Sequence, residues 1–217
     1  MIDFSLVWSA LPSLLHGTVI SLQITCVAAV IGLVLGSVLG LAEVAKSRAV
    51  RFVVRFYVTV FRGTPMLVQI LFVYYVLPEL GVTIAPFWAA SLAIGLNSAA
   101  YISQIILSGV NSVPKGQIEA AHTLGFSHAK TMRYIVFPQA FRIALPALGN
   151  ELITLVKDSS LASIIGVMEL SKEASVIRSR TYDAFSILLA ISVIYLTLTS
   201  TLSFCLKKYE KRLKKHA

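Results

Sequence analysis

No Asp, Glu, Lys or Arg occurs between Asp3 and Glu43, and the residues between them are mostly Leu, Val, Ile, Ala and Gly. At about 1.5 Å per residue, a helix over that whole run would be far longer than a hydrocarbon core of about 30 Å. The run is too apolar for the surface of a soluble fold and too long for one ordinary span. Pro12 and the pair His16-Gly17 offer a break. The expectation is therefore a short interfacial helix over residues 4 to 15 and a first span from about 17 to 42. Gly32, Gly36 and Gly40 recur on one face of that span and let a neighbouring backbone approach closely.

The rest of the chain repeats the theme. Hydrophobic residues make up 57% of the 217 and charged residues only 13%, against about 25% charged in a soluble domain. The mean hydropathy is +0.81. Further spans are expected over about 56 to 77, ending at Pro78, over about 86 to 109, and over 184 to 206. A fourth apolar stretch, "IALPALGNELITLV", lies between Arg142 and Lys157 and contains Pro146 and Gly149. It reads as short and broken, and so as sheltered by other helices. This is expected to be an all-α integral membrane protein of about five transmembrane helices, forming a single transmembrane domain over residues 1–217.

The net charge of +9 does not point to nucleic acid, because the basic residues sit between and after apolar runs. Placed by the positive-inside rule, Lys46, Arg48, Arg51 and Arg55, the basic residues around 115 to 142, and the tail "KKYEKRLKKHA" face the cytosol. Lys172, Arg178 and Arg180 face outside. The expected topology has the N-terminus outside and the C-terminus cytosolic. No basic n-region precedes the first apolar segment, which is expected to stay in the mature protein. Cys26 and Cys205 lack CxxC or Cys/His spacing and read as packing residues, and no metal site is expected.

One segment departs from this apolar background. "EAAHTLGFSHAKTMRYIVFP", residues 119 to 138, reads as a helix, a turn at Gly125, a Ser127 cap and a second helix that stops at Pro138. Ala120 and Ala121 would form a small flat surface, and Leu124, Met132, Ile135 and Val136 would be exposed apolar residues.

"EAA", Gly125 and the closing "IVFP" resemble the EAA signature of ABC importer permeases, with Phe137 in place of the usual Leu. "VPKGQIEAA", "FRGTPMLVQ" and "LVKDSSLASIIGVMEL" are similar to the polar amino acid branch of that superfamily. The resemblance implies a type I importer permease architecture in which the coupling loop, about 110 to 138, docks on a cytosolic ABC ATPase dimer through Glu119, Ala120, Ala121 and Gly125. It also implies a second permease copy, identical or paralogous, an extracytoplasmic solute-binding protein, and a bacterial inner-membrane location. No G-x-x-x-x-G-K-[ST] occurs, so ATP and Mg are expected on the partner and no cofactor on this chain.

Polar groups within spans mark the candidate path. Arg62, before Gly63-Thr64-Pro65, is expected to snorkel near the cytosolic interface. Thr64 and Gln69 either line a path or bond neighbouring helices. Asn97 lies mid-span, and Glu151 and Asp158, seven apart, share a helical face. The resemblance carries Thr64, Asn97, Glu151 and Asp158 over as substrate-binding residues for an amino acid, either cationic or glutamine. A membrane enzyme is the rival class, but His16, His122, His128 and His216 do not pair with an in-membrane Ser or Cys, so no catalytic residue is assigned. A channel or secondary transporter is the other rival, and it would not need the EAA hairpin.

Overall fold

The computed structural model describes residues 2–44 and 47–215, with side chains to residue 211. Lys46 and the tail residues His216 and Ala217 lie outside the described residues, as do the side chains of Arg212, Lys214 and Lys215. The described chain is helical throughout, with α1 (Phe4–Glu43), α2 (Arg48–Gly63), α3 (Met66–Leu71), α4 (Leu77–Glu79) and α5 (Pro86–Asn111) in its first half. The second half holds α6 (Lys115–Thr123), α7 (His128–Thr131), α8 (Phe137–Asp158), α9 (Leu170–Thr181) and α10 (Ala184–Lys215). Phe4–Glu43, Pro86–Asn111 and Ala184–Lys211 are long and apolar enough to cross a membrane, and the bent pair Arg48–Gly63 and Met66–Glu79 makes a fourth crossing if counted as one span. The more polar α8 packs among them against α5 and α10.

The expected break at Pro12 is absent, and α1 runs through it. Proline costs that turn one ladder bond. The turns on either side are held from outside, because Ala10 and Leu14 are buried with Leu170, Ala174 and Ile187 of α9 and α10. Further along α1, the buried hydroxyls of Thr18, Ser21 and Thr25 each donate to the carbonyl four residues earlier, which satisfies them inside the apolar bundle.

The glycine face of α1 meets α5, as its spacing predicts. A Cβ on Gly36 would lie 2.8 Å from the Ala99 carbonyl oxygen and from Ile102. Only a missing side chain permits this approach, and the α1/α5 pairing is the centre of the bundle. At one end it is closed by Glu43, which accepts from Arg55 Nε at 3.1 Å and from Gln104 Nε2 at 2.9 Å, tying α1, α2 and α5 together. At the other end the fully buried Glu169 caps α9. It accepts from the backbone amides of Ser171 and Lys172 and from the hydroxyls of Ser21 and Tyr195. On the chain's surface, Asp183 is held below the usual carboxylate range by the side chain and amide of Ser186 at the start of α10.

Of two prolines expected to end helices, Pro78 does so within one residue, at Glu79, and Pro138 does not. Pro78 and Pro138 each follow a π-turn by one residue, Phe72–Val76 and Met132–Val136 respectively. A proline ring crowds the carbonyl four residues back, and the wider π-turn relieves that crowding and lets the helix continue. The hairpin's second helix therefore runs without interruption from the Ser127 cap through Pro138 into α8 and on to Asp158. Nor is α8 broken at Pro146 or Gly149. Its faces are clamped at both places: Ala140 and Ala144 pack on Gly109, and Leu206 closes over Gly149.

Candidate functional site: a polar break between helices and an exposed hairpin

The second span is not a continuous helix. Its two parts, Arg48–Gly63 and Met66–Glu79, meet at 106°, with Thr64 and Pro65 extended between them. In an unbroken helix the Phe61 carbonyl would accept from the amide of residue 65, but Pro65 has none. Two side-chain amides take its place. Gln69 Nε2 donates to Phe61 O at 2.9 Å, and Asn97 Nδ2 donates to the same oxygen at 3.0 Å.

The sequence-predicted residues converge on this break. Thr64 Oγ1 donates to Val60 O and accepts from Gln69 Nε2 at 2.8 Å. Gln69 Oε1 accepts from Asn97 Nδ2 at 3.0 Å. Ser98, next to Asn97, donates to Glu151 Oε1 at 2.8 Å. Thr64, Gln69 and Asn97 thus form one polar string, and Glu151 joins α5 one residue further on. Thr64 is exposed and Glu151 half-buried, so the string reaches an accessible surface. Asp158 is half-buried on the same helix as Glu151, about 10 Å further along its axis. Among the described residues its side chain makes no hydrogen bond to the other three. Lys157 is exposed and lies about 100° around the helix from Asp158.

Sequence reasoning missed Ser98, although a serine beside a mid-span asparagine is itself a polar signal. The Arg62 guanidinium lies 5.1 Å above the Tyr101 ring of α5.

The hairpin is built by its turn. Gly125 has φ +81°, its amide donates to His122 O, and the Phe126 amide donates to Ala121 O. This pair of bonds is a Schellman motif. Ser127 Oγ then accepts from the Lys130 amide, and Gln139 Nε2 donates to Gln117 Oε1 at 2.6 Å to join the two arms. Glu119 and Ala120 are exposed, but Ala121 is buried, so the flat surface expected of both alanines is presented by Ala120 alone. Val136 is buried and Met132 packs beside it, contrary to expectation, because the continuous rod turns them onto Val110 and Val113. The exposed apolar groups are Leu124, 78% accessible, with Phe126 and Tyr134. Cys26 and Cys205 both lie on exposed helix faces rather than in the packed interior.

The geometry has close counterparts. The arginine transport system permease protein ArtQ of Bacillus subtilis is 42% identical over 214 residues, covering 98% of each chain. The glutamine transport system permease protein GlnP of Escherichia coli is 39% identical over the same length, with 98% of each covered. A chain in a crystal structure of an amino acid ABC transporter with histidines superposes with a TM-score of 0.93 at 38% identity, covering 98% of this chain and 99% of that one. The sequence profile of binding-protein-dependent transport system inner membrane components matches residues 32–215. With this fold, this hairpin and these matches, the chain belongs to the family of inner membrane components of binding-protein-dependent transport systems.

Proposed function

We propose that this chain is the membrane-spanning subunit of an ATP-driven importer of polar amino acids, and that it forms the path and couples it to a separate ATPase. One observation carries the coupling half of the reading. The rod from His128 to Asp158 holds the hairpin at one end and both acidic candidates, Glu151 and Asp158, toward the other. A displacement of the hairpin is therefore a displacement of the path.

In this reading Glu119, Ala120 and the Gly125 turn seat in a groove of the ATPase dimer, with Ala121 packed beneath them. The partner binds ATP and Mg. The hairpin end of the bundle and the C-terminus are cytosolic, and the N-terminus is outside. A second permease copy completes the path, and an extracytoplasmic solute-binding protein delivers the cargo.

Thr64, Asn97, Glu151 and Asp158 form the substrate-binding surface. Two carboxylates on one face favour a cargo with a cationic side chain, and glutamine is the second choice, since its amide can bond both a carboxylate and Asn97. Relatives named for arginine and glutamine transport agree with both. The test is uptake of labelled arginine and glutamine into proteoliposomes that hold this chain, its ATPase and its binding protein. Uptake that persists without the ATPase would indicate a channel or secondary transporter instead.

A further inference from the structure

Arg62 occupies an unusual position for a cation. It stacks on Tyr101, which lies about 22 Å along α5 from Pro86 and about 15 Å from Asn111, well inside the span. Among the described residues no carboxylate pairs with Arg62, in contrast to Arg55 with Glu43 and His16 with Glu173. Stacking on one ring offsets only part of the cost of holding an unpaired charge against an apolar helix.

The guanidinium is exposed and lines a cleft of about 270 Å³ with Tyr101, Gln104, Ser108, Ala144 and Ala147. Gln104 is already committed to Glu43, and among the described residues Arg62 is the only charged group in the wall. Because the ring covers a face of the guanidinium, its N–H edges remain available for a two-pronged carboxylate.

Along the same two helices, Glu151 lies one turn away. It is four residues beyond Ala147 on α8, and its partner Ser98 is three residues before Tyr101 on α5. A fixed cation and a fixed anion one helical turn apart match the two ends of a zwitterion. We infer that Arg62 binds the α-carboxylate of the amino acid in transit, while Glu151 and Asp158 face its cationic groups. This rests on the reading that the path carries amino acids. The competing source of the same carboxylate chemistry is an acidic side chain of a second copy of this chain.

The test uses the purified permease–ATPase complex without the binding protein, so that selection by the latter does not intrude. Equilibrium binding of labelled arginine and glutamine is competed with their decarboxylated analogues, agmatine and 4-aminobutanamide. The wild type should prefer the amino acid by about tenfold or more, and Arg62→Met should remove that preference by weakening only the amino acid. Glu151→Gln should weaken arginine and agmatine alike and leave their ratio unchanged.

If Arg62→Met does not assemble, Arg62→Lys carries the comparison. It keeps the charge without the fork, and should lose about threefold of the preference. A preference unchanged in these variants overturns the inference. So does an Arg62→Met complex whose permease pair separates by native mass measurement while each copy keeps the preference, since the carboxylate would then belong to the second copy. Failure of the complete transporter to take up either amino acid would instead sink the underlying functional reading, whereas intact uptake with an unchanged preference sinks this inference alone.

Discussion

Asn97 Nδ2 donates at 3.0 Å to the carbonyl oxygen of Phe61, the one carbonyl in its helix whose regular donor would have been the missing amide of Pro65. The mid-span asparagine therefore has a structural task whatever it does for a solute. Asn97→Leu should lower stability by about 1–3 kcal/mol, the usual cost of leaving a buried polar group short of a partner. Thermal unfolding in detergent checks this. Unchanged unfolding would mean that Gln69 alone holds the break.

Gly125 has φ +81° in the hairpin turn, where a β-branched side chain costs about 1–2 kcal/mol or more. Gly125→Val should leave insertion intact but uncouple ATP hydrolysis from uptake. Glu119→Lys should do the same through the exposed face. Vesicle transport measured together with hydrolysis decides it, and wild-type transport in both variants would refute the coupling role.

At Gly36, α1 lies so close to the Ala99 carbonyl and the Ile102 side chain of α5 that no side chain fits between them. Gly36→Val should abolish the assembled protein as seen by size exclusion. Gly116→Ala, in α6 with open space around it, should be neutral or stabilising by about 0.5–1 kcal/mol. Equal behaviour of the two would contradict the packing argument.

Glu151→Gln removes a charge from the site while keeping a hydrogen-bond acceptor for Ser98. Uptake of a cationic amino acid should fall more than uptake of glutamine, with binding protein and ATPase held constant. Aspartate and glutamate should be the poorest substrates of the wild type, because like charges repel strongly where the dielectric is low. Equal losses for arginine and glutamine would make Glu151 structural.

A cysteine at position 217, in a background without Cys26 and Cys205, reports orientation. It should resist impermeant thiol reagents in intact cells and react after permeabilisation. Labelling in intact cells would invert the proposed topology.

Local chemistry in this chain was legible wherever a single residue type decides the outcome. Gly32, Gly36 and Gly40 announced the α1/α5 contact, and Gly125 with Ser127 announced the turn and its cap. The spans starting at Pro86 and Ala184 followed from length and hydropathy alone. Prolines misled, because their effect depends on what lies around them. Pro12 and Pro146 are overruled by packing, Pro138 is absorbed by a π-turn, Pro65 breaks its span, and Pro78 ends its helix one residue on, at Glu79. At the site, the types Thr64, Asn97, Glu151 and Asp158 were visible, but the bonds that join Thr64 to Asn97 through Gln69 required the 106° bend, and the Ser98–Glu151 bond required the packing of α5 on α8, neither of which periodicity encodes.

The rod from His128 to Asp158 spans about 45 Å at ordinary helical rise. A beam of that length is held near its middle by Gly109 and Leu206, so in the proposed coupling it would act as a lever with its fulcrum inside the bundle. In that coupling, pushing the hairpin one way would swing Asp158 the other way. The compliance that such a stroke requires lies beyond the rod, in the short 3-10 turn Ser159–Ile165 and at Gly166, whose φ of +84° makes it the first left-handed residue after Asp158.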